Sequence, residues 1–292
     1  MVAPLDDTLD GMRRRVARSV RGAIGGRQRG SEPFAMADDS DPGLFGPDSA
    51  AWKIHRDTSM FVGGLRALLL QTTHPLAMAG VAEHSDYRSD PWGRLRRTAL
   101  YVGMTTFGTT AAAHQAIDRV RVVHERVQGV APDGRPYSAT DPHLLAWVHA
   151  TEVDSFLRAF RRYGSQPLTE TDADRYVAEM AVVATRIGAE DPPTTVVGLR
   201  DVLIGFRSEL HVGRQAHDAV RFLLVPPVPL ATRGPYGLIA AASVGLLPTF
   251  VRRMLWLPQP PLSDPLLVRP ATKLLMSGLG WVMTVDEPTL SA

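Results

Sequence analysis

Residues His114–Gln128 read HQAIDRVRVVHERVQ, and within them Ile117, Val120, Val123 and Val127 follow one another at steps of three and four. That spacing lays the apolar side chains along one side of a helix, with the arginines and acids on the other. Gly129 stops the pattern, and Asp133-Gly134 marks a turn. Downstream, Leu144–Tyr163 repeats the same periodicity through Leu145, Val148, Val153, Phe156, Leu157 and Phe160, with Gly164 as its stop. Helices are expected upstream over Ala50–Gln71, Leu76–His84 and Gly93–Phe107. Pro75 opens the second of these, since proline is tolerated at a first helical position. Further helices are expected over Thr169–Ile187, Thr195–Glu209, Val212–Leu224 and Leu238–Leu247, and near Ala271–Val282. No alternating strands lie between them, so the expected fold is an all-α, multi-helix bundle and not an α/β sandwich.

Residues 1–43 differ in character from the remainder. They are rich in Arg, Gly, Asp, Ser and Pro, with Arg13, Arg14, Arg15, Arg18, Arg21, Arg27 and Arg29 close together and one weak helical stretch at Leu9–Ala23. They read as a flexible basic and polar arm, and residues 44–292 as a single helical domain. The chain of 292 residues is 45% hydrophobic and 21% charged, the balance of an ordinary globular protein. Its formal net charge is only +2, with the basic residues scattered outside the arm, so nucleic-acid binding is not expected.

There is no cysteine. That excludes disulfides, thiolate nucleophiles, cysteine-held clusters and thiolate-ligated haem, but not a haem held by histidine. The N-terminal residues lack the apolar core of a secretory signal, so a cytoplasmic location is expected. The stretch Tyr236–Phe250, extended to Trp256, is apolar but short and interrupted by Pro248, Arg252 and Arg253. It reads as a buried helix, with peripheral membrane contact as the alternative.

No dinucleotide fingerprint, phosphate-binding loop, zinc-protease helix or serine-hydrolase elbow occurs. The nine histidines are the remaining chemical material. Arg94 and Thr98 are four apart and share a helix face, an arrangement suited to positioning an oxidant over an apolar pocket. The bland alternative is a surface arginine and a threonine bonded to its own helix. His124 stands four after Val120 and three before Val127, so it shares their side. It is either a metal ligand or a hydrogen-bonded core histidine. His149 and Glu152, three apart, face the same way.

Four stretches carry a resemblance. They are Ala67-Leu68-Leu69-Leu70-Gln71-Thr72-Thr73-His74-Pro75, Arg94-Leu95-Arg96-Arg97-Thr98, Val120-Arg121-Val122-Val123-His124 and Asp141-Pro142-His143-Leu144-Leu145-Ala146-Trp147-Val148-His149. Together they resemble the catalytic domain shared by bacterial latex-clearing rubber oxygenases and the fungal MpaB-type oxygenases of mycophenolic acid biosynthesis, over roughly Leu44–Leu257. The resemblance implies a globin-like helical core around haem b. It implies His124 as the iron ligand, and Arg94 and Thr98 as the distal pair that assists oxygen chemistry. Arg97 stands where the rubber enzyme has an iron-capping lysine. An arginine has no lone pair to offer iron, so a different gate is implied. His74 is implied as a haem-propionate partner or a positioner of Arg94, against the reading of a helix-terminal cap.

The expected substrate is an apolar, alkene-containing small molecule such as a prenyl or fatty compound, with dioxygen as co-substrate. Bulk rubber is not expected for a chain without a secretory signal. Cleavage by dioxygen, monooxygenation and peroxide-driven oxidation all remain open on such a scaffold. The alternative function is a non-catalytic haem-binding or structural helical protein on the same fold.

Overall fold

The computed structural model describes residues 35–85, 90–227, 229–258 and 264–283. The basic stretch Arg13–Arg29 and the weak helix at Leu9–Ala23 lie outside the described residues. Twelve α-helices are present among the described residues. They are α1 (Ala50–His55), α2 (Met60–Gln71), α3 (Pro75–His84), α4 (Pro91–Phe107), α5 (Thr110–His124), α6 (Pro142–Tyr163), α7 (Glu170–Ile187), α8 (Val196–Gly205), α9 (Arg214–Leu224), α10 (Leu230–Gly245), α11 (Thr249–Met254) and α12 (Arg269–Met283). A small antiparallel pair, β1 (Gln128–Val130) and β2 (Pro136–Ser138), is the one sheet described. The fold is an all-α bundle.

Local chemistry explains most of the helix starts. The Asp90 carboxylate accepts from Gly93 N–H at 2.8 Å, with Pro91 at the first helical position of α4. Asp141 accepts from His143 N–H at 2.9 Å ahead of α6, again with a proline beside the cap. Ser49, Thr109, Thr169 and Thr195 cap α1, α5, α7 and α8 in the same way. Each side chain satisfies a backbone N–H that has no partner inside its helix. Gly188 ends α7 with φ at +112°, a conformation that side chains resist.

Several expected boundaries move. The single helix expected over Ala50–Gln71 is two, broken at Arg56–Ser59. There the Asp57 carboxylate accepts from Ser59 N–H at 2.8 Å and from Ser165 N–H at 2.9 Å. A side chain that offers the backbone another partner competes with helix. The helix expected to reach Gln128 ends at His124. The chain then enters the β-hairpin, where Ala139 N–H donates to the Val127 carbonyl at 2.8 Å. Val123 faces solvent, so the true inward face of α5 runs through Ala113, Ala116, Ile117 and Val120 to His124. The helix expected over Leu238–Leu247 starts earlier, at Leu230, and carries Pro235 within it. Residues 35–43, assigned to the arm by composition, lie against the α4–α5 turn instead. Ala37 N–H donates to the Phe107 carbonyl at 2.8 Å, and Thr109 N–H to the Ala35 carbonyl at 3.0 Å.

The centre of the molecule is the pair α2–α6. Gly63 makes the close crossing possible: a Cβ there would stand 2.7 Å from a ring carbon of Phe156 and 3.0 Å from its Cα. Around α6, a core of Ile54, Val153, Phe156, Leu157, Phe160, Tyr176, Val177, Met180 and Leu199 joins α1, α6, α7 and α8. On the other side of α2, Leu65, Leu69, Val220, Leu247, Val251 and Leu255 join it to α9, α10 and α11. Within the apolar stretch at 236–256, Ala240, Ala242, Leu247, Val251 and Leu255 are core, while Trp256 is exposed. No described helix is long and apolar enough to cross a membrane.

Arg66 is the polar bolt of this centre. Its guanidinium is 1% exposed and bonds Ser155 Oγ at 2.6 Å, Asp154 Oδ2 at 2.8 Å and the Leu246 carbonyl at 3.0 Å. It ties α2, α6 and the end of α10 with three charge-assisted bonds.

Candidate functional site

The short Gly108-Thr109 connection makes α4 and α5 a helical hairpin whose two arms touch. Arg94 and Thr98 lie in the first turns of α4, and His124 is the last residue of α5. The hairpin packs onto α1 through α4 and onto α7 through α5.

His124 is half-buried, and its Nδ1 is buried with no hydrogen-bond partner among the described residues. Burial lowers the pKa of its imidazole, which keeps the ring neutral and a nitrogen lone pair available. Buried polar atoms are normally satisfied, so an orphaned one asks for a missing partner. The Arg94 guanidinium donates to Ser85 Oγ at 2.8 Å. Thr98 is exposed, and its hydroxyl donates to the Arg94 carbonyl at 3.2 Å. Arg97 is exposed too, 3.6 Å from the Asp90 carboxylate.

His74 stands apart from these residues in its contacts. It is 1% exposed and caps α3, accepting from Ala77 N–H through Nδ1 at 3.5 Å, while Nε2 lies 3.5 Å from Glu209. Both ring nitrogens are thus taken. Burial depresses its pKa, and Glu209 partly opposes that. Glu209 also pairs with His143 Nε2 at 2.9 Å, beside a surface pocket lined in part by Phe206, Glu190 and Asp191.

A second polar group lies inside the core. His55 Nδ1 pairs with Thr106 Oγ1 at 2.7 Å, and His55 Nε2 pairs with the Tyr176 hydroxyl at 2.8 Å. Complete burial pushes the His55 pKa down to about 3. On α6, His149 has a buried Nε2 without a partner among the described residues, and burial pushes its pKa down to about 4. One turn on, burial pushes the Glu152 carboxyl up to about 7. The Tyr101 phenol is raised by burial first and by the charge of Glu152 second.

Sequence reasoning singled out His149 and Glu152 but missed His55, Tyr101, Thr106 and Tyr176. Tyr101 was within reach of pattern, being seven after Arg94 and three after Thr98 on one helix. His55 and Tyr176 had no local signal, since only the packing of α1 on α7 joins them. Among the described residues, no three or more His, Asp or Glu side chains are arranged to hold a metal ion.

Residues 52–280 match the family described as the ER-bound oxygenase mpaB/B′/rubber oxygenase, catalytic domain. The chain belongs to this family. No curated protein and no solved structure matches it. The MpaB/rubber oxygenase catalytic domain is one of oxygenases, which bring dioxygen to a small-molecule substrate. Its matched span takes in everything from α1 to most of α12, including the α4–α5 hairpin and the buried group behind it.

Proposed function

We propose that this chain is a haem-dependent oxygenase of an apolar, alkene-containing small molecule, isoprenoid compounds among them. The observation that carries this reading is the half-buried His124, whose pKa burial lowers and whose buried Nδ1 finds no hydrogen-bond partner among the described residues. A metal ion bound by protein alone needs several side-chain ligands. A porphyrin brings its own four nitrogens and asks the protein for one imidazole. The residues present fit that group: His124 would hold the iron, and Arg96 of α4 and Arg121 of α5 suit its two carboxylates.

When bound, haem supplies the activation of oxygen. The protein's share is positioning and electrostatics. Arg94 stays protonated and, turned from Ser85, would place a positive charge against developing negative charge on oxygen. Thr98 would offer a hydroxyl one turn away. Arg97 cannot offer a lone pair to iron and would instead pair with Asp90 at the rim. His74, with both nitrogens engaged, would serve as the cap of α3.

One observation favours a second reading, a haem-binding or structural protein without catalysis. Thr98 bonds its own helix and is exposed, as a surface threonine would be. Absorption spectra and iron content separate haem binding from a purely structural role, and oxygen-dependent turnover of an apolar alkene separates an oxygenase from a haem carrier. Purified protein should show a Soret band, and His124→Ala should lose stoichiometric haem while its circular dichroism stays helical. Full haem occupancy in His124→Ala would overturn the ligand assignment.

A further inference from the structure

One helix of the bundle turns an apolar face away from the core. The inner side of α12 carries Thr272 and Met276, both buried, with Leu275 and Leu279 beside them. This side packs on Val62 of α2, Ala159 and Tyr163 of α6 and Ala242 of α10. The Thr58 hydroxyl, donating to the Met276 carbonyl at 2.9 Å, fixes the helix there. The opposite side is apolar as well. Leu267, in the π-helical turn Asp264–Val268 that leads into α12, is 69% exposed, Leu274 77% and Trp281 55%. They follow one another at steps of seven, two helical turns each, and so form one stripe. Ala271 and Gly278, also exposed, fill the stripe between them, and Lys273 and Ser277 are the exposed polar residues of this helix.

Single exposed apolar residues are ordinary, but a continuous stripe on a helix already packed along its other side marks a contact surface. The charge around it indicates what covers it. α12 has no acid, and Arg269 and Lys273 stand within its first two turns. From Ala219 to Thr284 the sequence has six basic residues and one acid, Asp264, whereas the whole chain is at only +2. Positive charge is thus concentrated toward the C-terminal helices, and the remainder is net negative. A second copy of α12 would set like charges against each other, with no acid on that helix to pair with them. A stripe one side chain wide also falls short of the about 800 Å² per partner that a stable protein complex buries. An anionic bilayer meets both features, since acyl chains accept the stripe and headgroups accept the basic residues. With 15 residues α12 is about 22 Å long, short of the about 30 Å of hydrocarbon in a bilayer, so it lies along the surface and does not cross.

We propose that the outer face of α12 seats this protein on an anionic membrane surface, with Leu267, Leu274 and Trp281 set into the boundary between headgroups and acyl chains and with Arg269 and Lys273 against the headgroups. The indole of Trp281 suits that boundary, having an apolar body and a polar N–H. The inner face of α12 is already held by α2, α6 and α10, so the helix is formed before it meets lipid and little ordering cost arises. An apolar alkene collects in bilayers and not in water, so the seat sets the protein beside that class of substrate. This last step rests on the function proposed above. The membrane seat does not, because it requires neither haem nor turnover.

Co-sedimentation of the full chain with lipid vesicles tests the seat. Phosphatidylcholine vesicles with about 30% phosphatidylserine should bind the protein, and pure phosphatidylcholine vesicles should bind it about tenfold more weakly. The double variant Leu267→Ser with Leu274→Ser should bind the anionic vesicles about tenfold or more weakly than the wild type. Both leucines are exposed, so its circular dichroism and thermal midpoint should match the wild type. Lys273→Ala should lose about fivefold on anionic vesicles. Absence of wild-type binding would overturn the proposal. Equal binding by the double variant would overturn it too, placing any lipid contact elsewhere, as on the arginine-rich stretch Arg13–Arg29. A dimer in analytical ultracentrifugation that the double variant abolishes, with vesicles left unbound, would assign the stripe to a second copy and overturn it as well. Vesicle binding by a protein that takes up no haem would support the seat and remove the oxygenase reading, so the two failures are distinguishable.

Discussion

Arg66→Met tests the polar bolt at the centre of the bundle. Methionine replaces the apolar stem of the arginine but none of its three donors. Ser155 loses least, because its hydroxyl still donates to the Thr151 carbonyl at 2.5 Å. The Leu246 carbonyl loses its described donor, and Asp154 keeps only Arg158, at 2.8 and 3.0 Å. Removing one partner of a buried ion pair costs about 3–5 kcal/mol. With Arg158 still on Asp154, the lower end applies, about 3 kcal/mol. Urea denaturation should show the loss as a fall in midpoint with little change in slope. Added salt should not shrink it, because the pair is shielded from screening ions. The double variant Arg66→Met with Asp154→Asn should recover part of the loss, since no uncompensated charge remains. A loss below about 1 kcal/mol, the worth of a surface pair, would refute the account of Arg66 as a buried tie.

Three further outcomes follow from the same structure. Gly63→Ala drives a methyl into Phe156 backbone and ring, so α2 and α6 must separate, and thermal unfolding should show about 1–3 kcal/mol of destabilisation. His149 is neutral when folded, with a pKa near 4, but takes a proton near 6.5 when unfolded. The stability it supports is thus complete above pH 6.5 and lost as pH falls toward 4, by at most about 3 kcal/mol. His149→Phe should flatten that part of a stability–pH curve, and an unchanged slope would count against the burial of the ring. Arg94→Ala and Thr98→Ala should keep their haem yet turn over alkene more slowly by about tenfold or more, and wild-type rates in both would remove them from catalysis.

The register of polar and apolar residues was enough to find the helices, because helix periodicity and caps are local. Thr169 and Gly188 announced their own boundaries, while the caps Asp90 and Asp141 start their helices two residues before the expected Gly93 and Leu144. The Asp57 break was not legible, since Asp57 stops the helix partly by bonding Ser165, which only the packed chain brings near. The early end of α5 was missed for a similar reason: the pull comes from pairing with the strand at Pro136–Ser138. Local sequence also marked Arg94, Thr98 and His124 as candidates, and the motif pattern pointed to their family.

Side-chain surroundings were decided by tertiary contact alone. Whether Val123 or His124 turns inward depends on where α5 rests against its neighbours, and a few tens of degrees of rotation separate the two. The charge states of His55, His149 and Glu152 follow from how much water their neighbours exclude. Exclusion of water is a property of several helices packed together, so no single stretch of chain contains it.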